Sequence, residues 1–293
     1  MSPALARVAA PAASVSVLRP LAPAAPVRAF AAIDLPPRST KPRSSGLTMV
    51  LDKNLGLAAL DDLLGTAAPA VDLVKFGWGT SATQAADLVR RKCALLAAHQ
   101  VLACPGGTLG ELAWQQGRFG PFLAEARSLG FSCIEVSDGT VDMPHGEKLA
   151  LIRRALDAGF HVTSEVGSKN TETDRAMGPD ERIAQIQAEL ACGAWKVIIE
   201  ARESGTHGIF DAQGATRHDL FDQITEHVDA DRLIFEAPQR AQQTELLLSL
   251  GNRVNLGNIA PADVVGLETL RLGLRSDTMR HFHPRPANPE GTR

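Results

Sequence analysis

Charged side chains of both signs stand where the apolar runs of this chain end. Asp52 and Lys53 close the run Leu47–Leu51, and Lys75 sits near the end of Val71–Phe76. Glu135 and Asp138 flank the end of Cys133–Ser137, and Glu165 falls near the end of His161–Val166. Glu200, Arg202 and Glu203 mark the end of Lys196–Ala201, Glu236 that of Leu233–Ala237, and Asn255 and Asn258 that of Val254–Leu256. Burying a charge is costly unless it is paired or holds a metal. Acids interleaved with Lys and Arg therefore point to a Mg²⁺ site and an anionic substrate. The competing account is an internal network of salt bridges, but packing alone does not call for so many charges at run ends.

Three glycine-rich stretches follow these runs: Phe76-Gly77-Trp78-Gly79-Thr80-Ser81, Pro105-Gly106-Gly107-Thr108 and Leu256-Gly257-Asn258-Ile259. Glycine lets backbone N–H groups approach an anion, and a following helix N-terminus adds partial positive charge. In an α/β barrel the last loops are the favoured phosphate site, which singles out Gly257 and Asn258. His207 lies in Ser204–Gly208 and reads as a solvated loop histidine. Ser137 and Ser164 have no adjacent His, so acyl transfer is disfavoured.

The elements that must position these groups are strands and helices in alternation. The eight apolar runs, with Val101–Cys104 as the third, are nearly continuous, as parallel strands buried on both faces should be. Between them, Leu88, Val89, Leu95 and Leu96 share a helix face, as do Ile183, Ile186 and Leu190, and then Leu246, Leu247 and Leu250 before a capping Gly251. Pro179-Asp180-Glu181 reads as a helix start. Repetition at about 30 residues predicts one (β/α)8 TIM-type barrel with its site at the strand C-termini. An open doubly wound sheet lacks the GxGxxG turn after its first strand.

The 293 residues suffice for such a barrel, and 44% hydrophobic with 22% charged residues is ordinary for a soluble domain. A net charge of −3 disfavours nucleic-acid binding. No apolar run reaches the roughly 18 residues that would span a membrane. Cys93, Cys104, Cys133 and Cys192 form no CxxC pair, which fits reduced thiols and a cytoplasmic setting. Residues 1–32 are rich in Ala and Pro and carry no acid, so a disordered extension is expected, with an organelle transit peptide as the alternative. The barrel is expected over 33–280, and a loose Pro-rich tail over 281–293.

Eight ordered stretches resemble the phosphosulfolactate synthase family: Gly46–Lys53, Val74–Ser81, Pro105–Leu109, Glu135–Thr140, Ser164–Gly167, Ile199–Gly205, Phe235–Gln239 and Val254–Ile259. The resemblance runs from about Leu35 to Met279. Asn54 replaces the Gly that the family often has after Asp-Lys, and Asn also tolerates a left-handed turn. The resemblance implies a lyase acting in the synthase direction: Mg²⁺-dependent addition of sulfite to phosphoenolpyruvate, giving (2R)-2-O-phospho-3-sulfolactate. Plant heat-stress-associated proteins look similar over the same barrel. A barrel without turnover, or a related lyase with another enol acid or nucleophile, is the alternative.

In that scheme Asp138, Glu165, Glu200 and Glu236 are the expected metal ligands. Lys53 and Lys75 are expected to share the roles of general acid and anion clamp, each depressing the other's pKa. Arg202 would grip a carboxylate or sulfite through its fork. Gly106, Gly107, Ser137, Asn255, Gly257 and Asn258 would line the substrate site. The partners implied are small anions, with no nucleic acid or membrane; a homo-oligomer is compatible with this reading.

Overall fold

The computed structural model describes residues 28–284. The expectation of a disordered extension falls mostly on residues 1–27, which lie outside the described residues, as does most of the expected tail. Residues 28–34 make a short turn of their own. From Leu35 onward the chain builds the expected barrel. Its strands are β1 (Thr48–Asp52), β2 (Leu73–Phe76), β3 (Leu102–Cys104), β4 (Cys133–Val136), β5 (His161–Val166), β6 (Lys196–Ile199), β7 (Leu233–Glu236) and β8 (Leu256–Ile259). The helices are α1 (Leu57–Ala67), α2 (Ala86–Ala98), α3 (Gly107–Gln115), α4 (Phe119–Leu129), α5 (His145–Asp157) and α6 (Thr171–Ala176). They continue with α7 (Pro179–Cys192), α8 (His218–His227), α9 (Arg240–Leu250), α10 (Val264–Arg271) and α11 (Ser276–Phe282). Among these described helices none is long and apolar enough to cross a membrane.

All strand pairs are parallel, in the order β3-β2-β1-β8-β7-β6-β5-β4. The ring closes at the β3/β4 seam without a ladder. Ser132 bridges it instead, its N–H donating to the Ala103 carbonyl at 3.1 Å and its hydroxyl accepting from the Ala103 N–H at 3.1 Å. Apolar residues on the outer faces of the strands pack under the helices: Val50, Val74, Val162, Val197 and Phe235 are almost fully buried there, with Leu60, Leu96 and Ile186 opposite.

The eighth strand corrects the sequence reading. The expected run was Val254–Leu256, but the strand is Leu256–Ile259 and includes Gly257. Gly257 reads as a turn residue yet is there for space: a Cβ on it would lie 2.5 Å from Met49 Cε and 3.1 Å from Ile234 Cγ2. The shift puts Asn255 at the N-terminal end of the barrel. There its amide donates to the Leu233 carbonyl at 2.7 Å and the Asp231 carbonyl at 3.1 Å, and its Oδ1 accepts the Leu47 N–H at 3.0 Å. Arg271, fully buried on α10, braces the same end through the carbonyls of Val254, Asn252 and Leu47 at 2.7, 2.8 and 3.0 Å. At the C-terminal edge, α11 runs through Phe282, and His283 bonds the Leu272 carbonyl at 3.0 Å.

Candidate active site

Alternation along the strands builds the site in layers. Every second residue of a barrel strand faces inward. Met49, Leu73, Cys104, Cys133, Ile198 and Ile234 form a buried apolar plug. Two residues further along their strands, Leu73 gives way to Lys75, Cys133 to Glu135, Ile198 to Glu200 and Ile234 to Glu236. On β5 the step from Thr163 leads to Glu165. Five ionisable side chains thus stand on an apolar floor, at the C-terminal mouth where βα loops build sites in this fold.

Lys75 is the hub. Its Nζ lies 3.0 Å from Glu135 Oε1, 3.2 Å from Glu165 Oε2 and 3.3 Å from Glu236 Oε1. Burial alone would lower its pKa, but the facing carboxylates of Glu135, Glu165, Glu236 and Glu200 outweigh it, and the ammonium is held well above its usual range. This reverses the expectation of a depressed lysine. A second ammonium enters from the β5–α6 loop: Lys169 Nζ is 3.4 Å from Glu165 Oε1, 3.9 Å from Glu200 Oε2 and 4.0 Å from Glu111 Oε1. Attraction to Glu165 raises Lys169 despite partial burial.

The carboxylates differ among themselves. Burial pushes Glu135 up to about 7, with Lys75 opposing. Burial would also raise Glu165, but Lys169 and Lys75 hold it far below its ordinary value. Burial, reinforced by Glu165 and Glu236, pushes Glu200 well up. With Glu111, five carboxylates face these two ammonium groups, so negative charge is in excess when all are ionised. That excess is relieved by protonation or by a divalent cation.

The residues present fit such a cation. One oxygen from each of Glu165, Glu200 and Glu236 lies within 4.8 Å of the others. Glu165 Oε1 and Glu200 Oε2 are buried and accept no hydrogen bond, the Lys169 ammonium reaching them only at the longer ion-pair distances of 3.4 and 3.9 Å. Hard oxygen donors of this kind suit Mg²⁺. Asp138 is not brought to this trio; its Oδ1 accepts from Lys148 at 2.9 Å.

Cations on the surrounding helices fix the loops from behind. Lys92 of α2 is fully buried and donates to Asp52 Oδ2 at 2.5 Å, with its Nζ 4.4 Å from the Phe76 ring centroid. Lys148 of α5 joins Asp138, Glu189 Oε1 at 2.9 Å and the Glu165 carbonyl at 2.6 Å. Glu111 of α3 accepts from the Ser137 hydroxyl and from the Thr140 N–H at 3.0 Å, which orders the β4 loop. Ser137 is thereby committed to Glu111.

The cavity in front of these groups holds about 200 Å³. Lys75, Glu135, Glu165, Lys169, Glu200, Arg202, Glu203, Glu236 and Asn258 line it, with Trp78, Gly106, Gly107 and Thr108. Gly106 has φ 76° and Gly107 donates its N–H to Glu135 Oε1 at 2.8 Å, which seats the start of α3 against the ring. A Cβ on Gly107 would stand 2.9 Å from that same oxygen. Asn258 has φ 54° and is buried with its side-chain oxygen unpartnered. Strained, unsatisfied polar residues of this sort gather at binding sites. Arg202, at φ 58°, turns its N–H to Glu200 Oε1 at 2.6 Å and leaves its side chain exposed at the wall.

The structure therefore gathers Lys75, Arg202, Gly106, Gly107, Asn258, Glu165, Glu200 and Glu236. It places Asn255 at the opposite end of the barrel, Gly257 in the floor, and Ser137 and Asp138 behind the wall. Lys53 sits on the rim, its Nζ 4.7 Å from the Trp78 ring centroid and 3.7 Å from Glu203 Oε2. Sequence reasoning missed Lys169 and gave Glu135 no role. Lys169 stands four residues past Glu165, in the loop that the barrel reading already pointed at the mouth.

The chain is similar to known proteins over most of its length. The family model described as (2R)-phospho-3-sulfolactate synthase (ComA) matches residues 36–277. A phosphosulfolactate synthase of Methanothermobacter thermautotrophicus is 47% identical over 245 residues, 83% of this chain and 95% of that protein. One of Bacillus subtilis is 41% identical over 247 residues, 84% of this chain and 97% of that protein. Among solved structures, a 3-hexulose-6-phosphate synthase from Salmonella typhimurium superposes with a TM-score of 0.52 at 12% identity, covering 78% of this chain and all of that one, a likeness of fold alone. With a family match spanning nearly the whole barrel, the chain belongs to the (2R)-phospho-3-sulfolactate synthase family.

Proposed function

We propose that this chain is a phosphosulfolactate synthase, adding sulfite to phosphoenolpyruvate to give (2R)-2-O-phospho-3-sulfolactate. The observation that carries the reading is the buried ring of Glu165, Glu200 and Glu236 with Lys75 and Lys169 at the barrel mouth. The sulfur lone pair of sulfite bonds to C3 of the enol acid, and the C2–C3 π electrons move onto C2 and its carboxylate. One proton must then reach C2. Glu165, Glu200 and Glu236 would hold the Mg²⁺, which supplies positive charge to the substrate carboxylate as that group takes up the electrons.

Lys169 is the better proton donor of the two cavity lysines. Its side chain is 31% exposed against 10% for Lys75, so solvent can reprotonate it, and its carboxylate contacts are all longer. Lys75, locked among three glutamates, keeps the ring in register instead. Arg202, Asn258 and the start of α3 offer donors to the anionic ends of the substrate. Four free thiols fit work in a reducing compartment such as the cytoplasm. The test is whether purified protein consumes phosphoenolpyruvate only when sulfite and Mg²⁺ are both supplied. Consumption without sulfite, or none with both, overturns the proposal.

A further inference from the structure

Behind the β5–α6 loop lies a buried cluster that the chemistry above does not use. Arg182 of α7 is fully buried and donates from Nη2 to Asp174 Oδ1 at 2.9 Å and to the Asp174 carbonyl at 3.2 Å. Asp174 Oδ1 in turn accepts the Ser168 N–H at 3.2 Å. His207, from the β6–α8 loop, is 6% exposed rather than solvated. Its Nε2 lies 2.6 Å from the Ser168 carbonyl and 3.7 Å from Asp174 Oδ2. A carbonyl only accepts, so Nε2 carries the hydrogen. Ser168 is thus gripped at both its N–H and its carbonyl. Lys169 follows directly, its own N–H fixed on the Gly139 carbonyl at 2.9 Å.

The backbone leaves no slack around this grip. A Cβ on Gly167 would stand 2.8 Å from Glu200 Cβ and 3.1 Å from Arg182 Nη1. Gly208, next to His207, has φ 62°, and a Cβ on it would run into the Glu200 carbonyl. The two loops therefore close on each other across Glu200, and one histidine hydrogen bond joins them.

We propose that His207, backed by Asp174 and Arg182, is a positioning residue that latches the β5–α6 loop so that the Lys169 ammonium reaches the cavity. This rests on Lys169 being the proton donor. A latch acts on the height of the chemical barrier through placement, and small misplacements of a reacting group are costly. Losing it lowers kcat while phosphoenolpyruvate affinity, set by other groups, holds.

Two substitutions separate the latch from simple packing. His207→Phe keeps the ring and removes the donor, whereas His207→Asn keeps a donor and removes the ring. The latch predicts that His207→Phe lowers kcat about tenfold or more with KM for phosphoenolpyruvate within about twofold, on the scale of a displaced catalytic group. It predicts that His207→Asn retains most of kcat. The reverse ranking, or unchanged kcat in His207→Phe, overturns it. Hydrogen exchange reads the grip in the wild-type protein whether or not the variants fold: the Ser168 and Lys169 amides should be protected, and exchange at the rate of an open loop overturns the latch. Lys169→Met serves as the reference. If it keeps wild-type turnover, the donor assignment fails; if it is inactive while His207→Phe is normal, the latch alone fails.

Discussion

Replacing Lys75 by Met removes one positive charge from the centre of the carboxylate ring and leaves the apolar floor intact. Each of its three contacts, at 3.0 to 3.3 Å, has a Coulomb energy of about 5 kcal/mol at an effective dielectric near 20. Most of that gross attraction offsets the desolvation of the charges and the mutual repulsion of Glu135, Glu165 and Glu236. Breaking a buried ion pair by deleting one partner typically costs about 3–5 kcal/mol. For a barrel of this size that is a fall in the thermal midpoint of roughly 6–10 °C. Thermal unfolding followed by circular dichroism, without Mg²⁺, measures it. The double replacement Lys75→Met with Glu135→Gln removes one of the stranded charges and should recover part of the loss. A midpoint for Lys75→Met within about 2 °C of wild type would refute the claim that Lys75 holds the ring together.

Glu200→Gln should weaken Mg²⁺ activation by about tenfold or more while shifting the thermal midpoint little, because the amide oxygen can still accept the Arg202 N–H that bonds Glu200 Oε1 while the charge that would hold the cation is lost; Mg²⁺ titrations of activity report it. Asn255→Ala deletes hydrogen bonds at the far end of the barrel, so stability should fall by about 1–3 kcal/mol with kcat/KM unchanged, as urea unfolding and steady-state kinetics can show. Burial pushes the Cys93 thiol up to about 12 from 9.0, with Lys92 opposing. The native thiol then keeps its proton where the unfolded chain loses it, so its contribution is present below pH 9 and fades as pH rises towards 12. The stability gap between wild type and Cys93→Ala should accordingly shrink by about 2 kcal/mol between pH 8 and 10.5 in urea titrations.

Much of the barrel could be read from the sequence because parallel strands buried on both faces leave continuous apolar runs, and seven of the eight lie within two residues of the expected bounds at both ends. Glu165, Glu200 and Glu236 stood out because a carboxylate at the end of such a run has no packing reason to be there. The eighth strand was misplaced because Gly257-Asn258 carries turn chemistry, while the need for that glycine comes from Met49 and Ile234, distant in sequence. That slip carried Asn255 into the expected site in error. Lys92, Lys148 and Arg182 were passed over because a charged residue on a helix reads as its solvated face. Their partners Asp52, Glu189 and Asp174 lie on other elements, and tertiary contact alone shows that these cations point inward. Lys169 and His207 were obscured for a related reason: loops carry no periodicity, so nothing local distinguishes a gripped loop from a loose one.

In the proposed reaction this site joins sulfite to C3 of phosphoenolpyruvate and protonates C2 from a solvent-exchanging ammonium. Incubating the protein with both substrates and Mg²⁺ in D₂O, and examining the product by NMR and mass spectrometry, tests it most directly. Protonation of C2 by such an ammonium yields one phosphorylated sulfonate with sulfur on C3 and a single deuterium on C2, of one configuration. A product lacking deuterium at C2, a mixture of configurations, or recovery of unreacted phosphoenolpyruvate would contradict it.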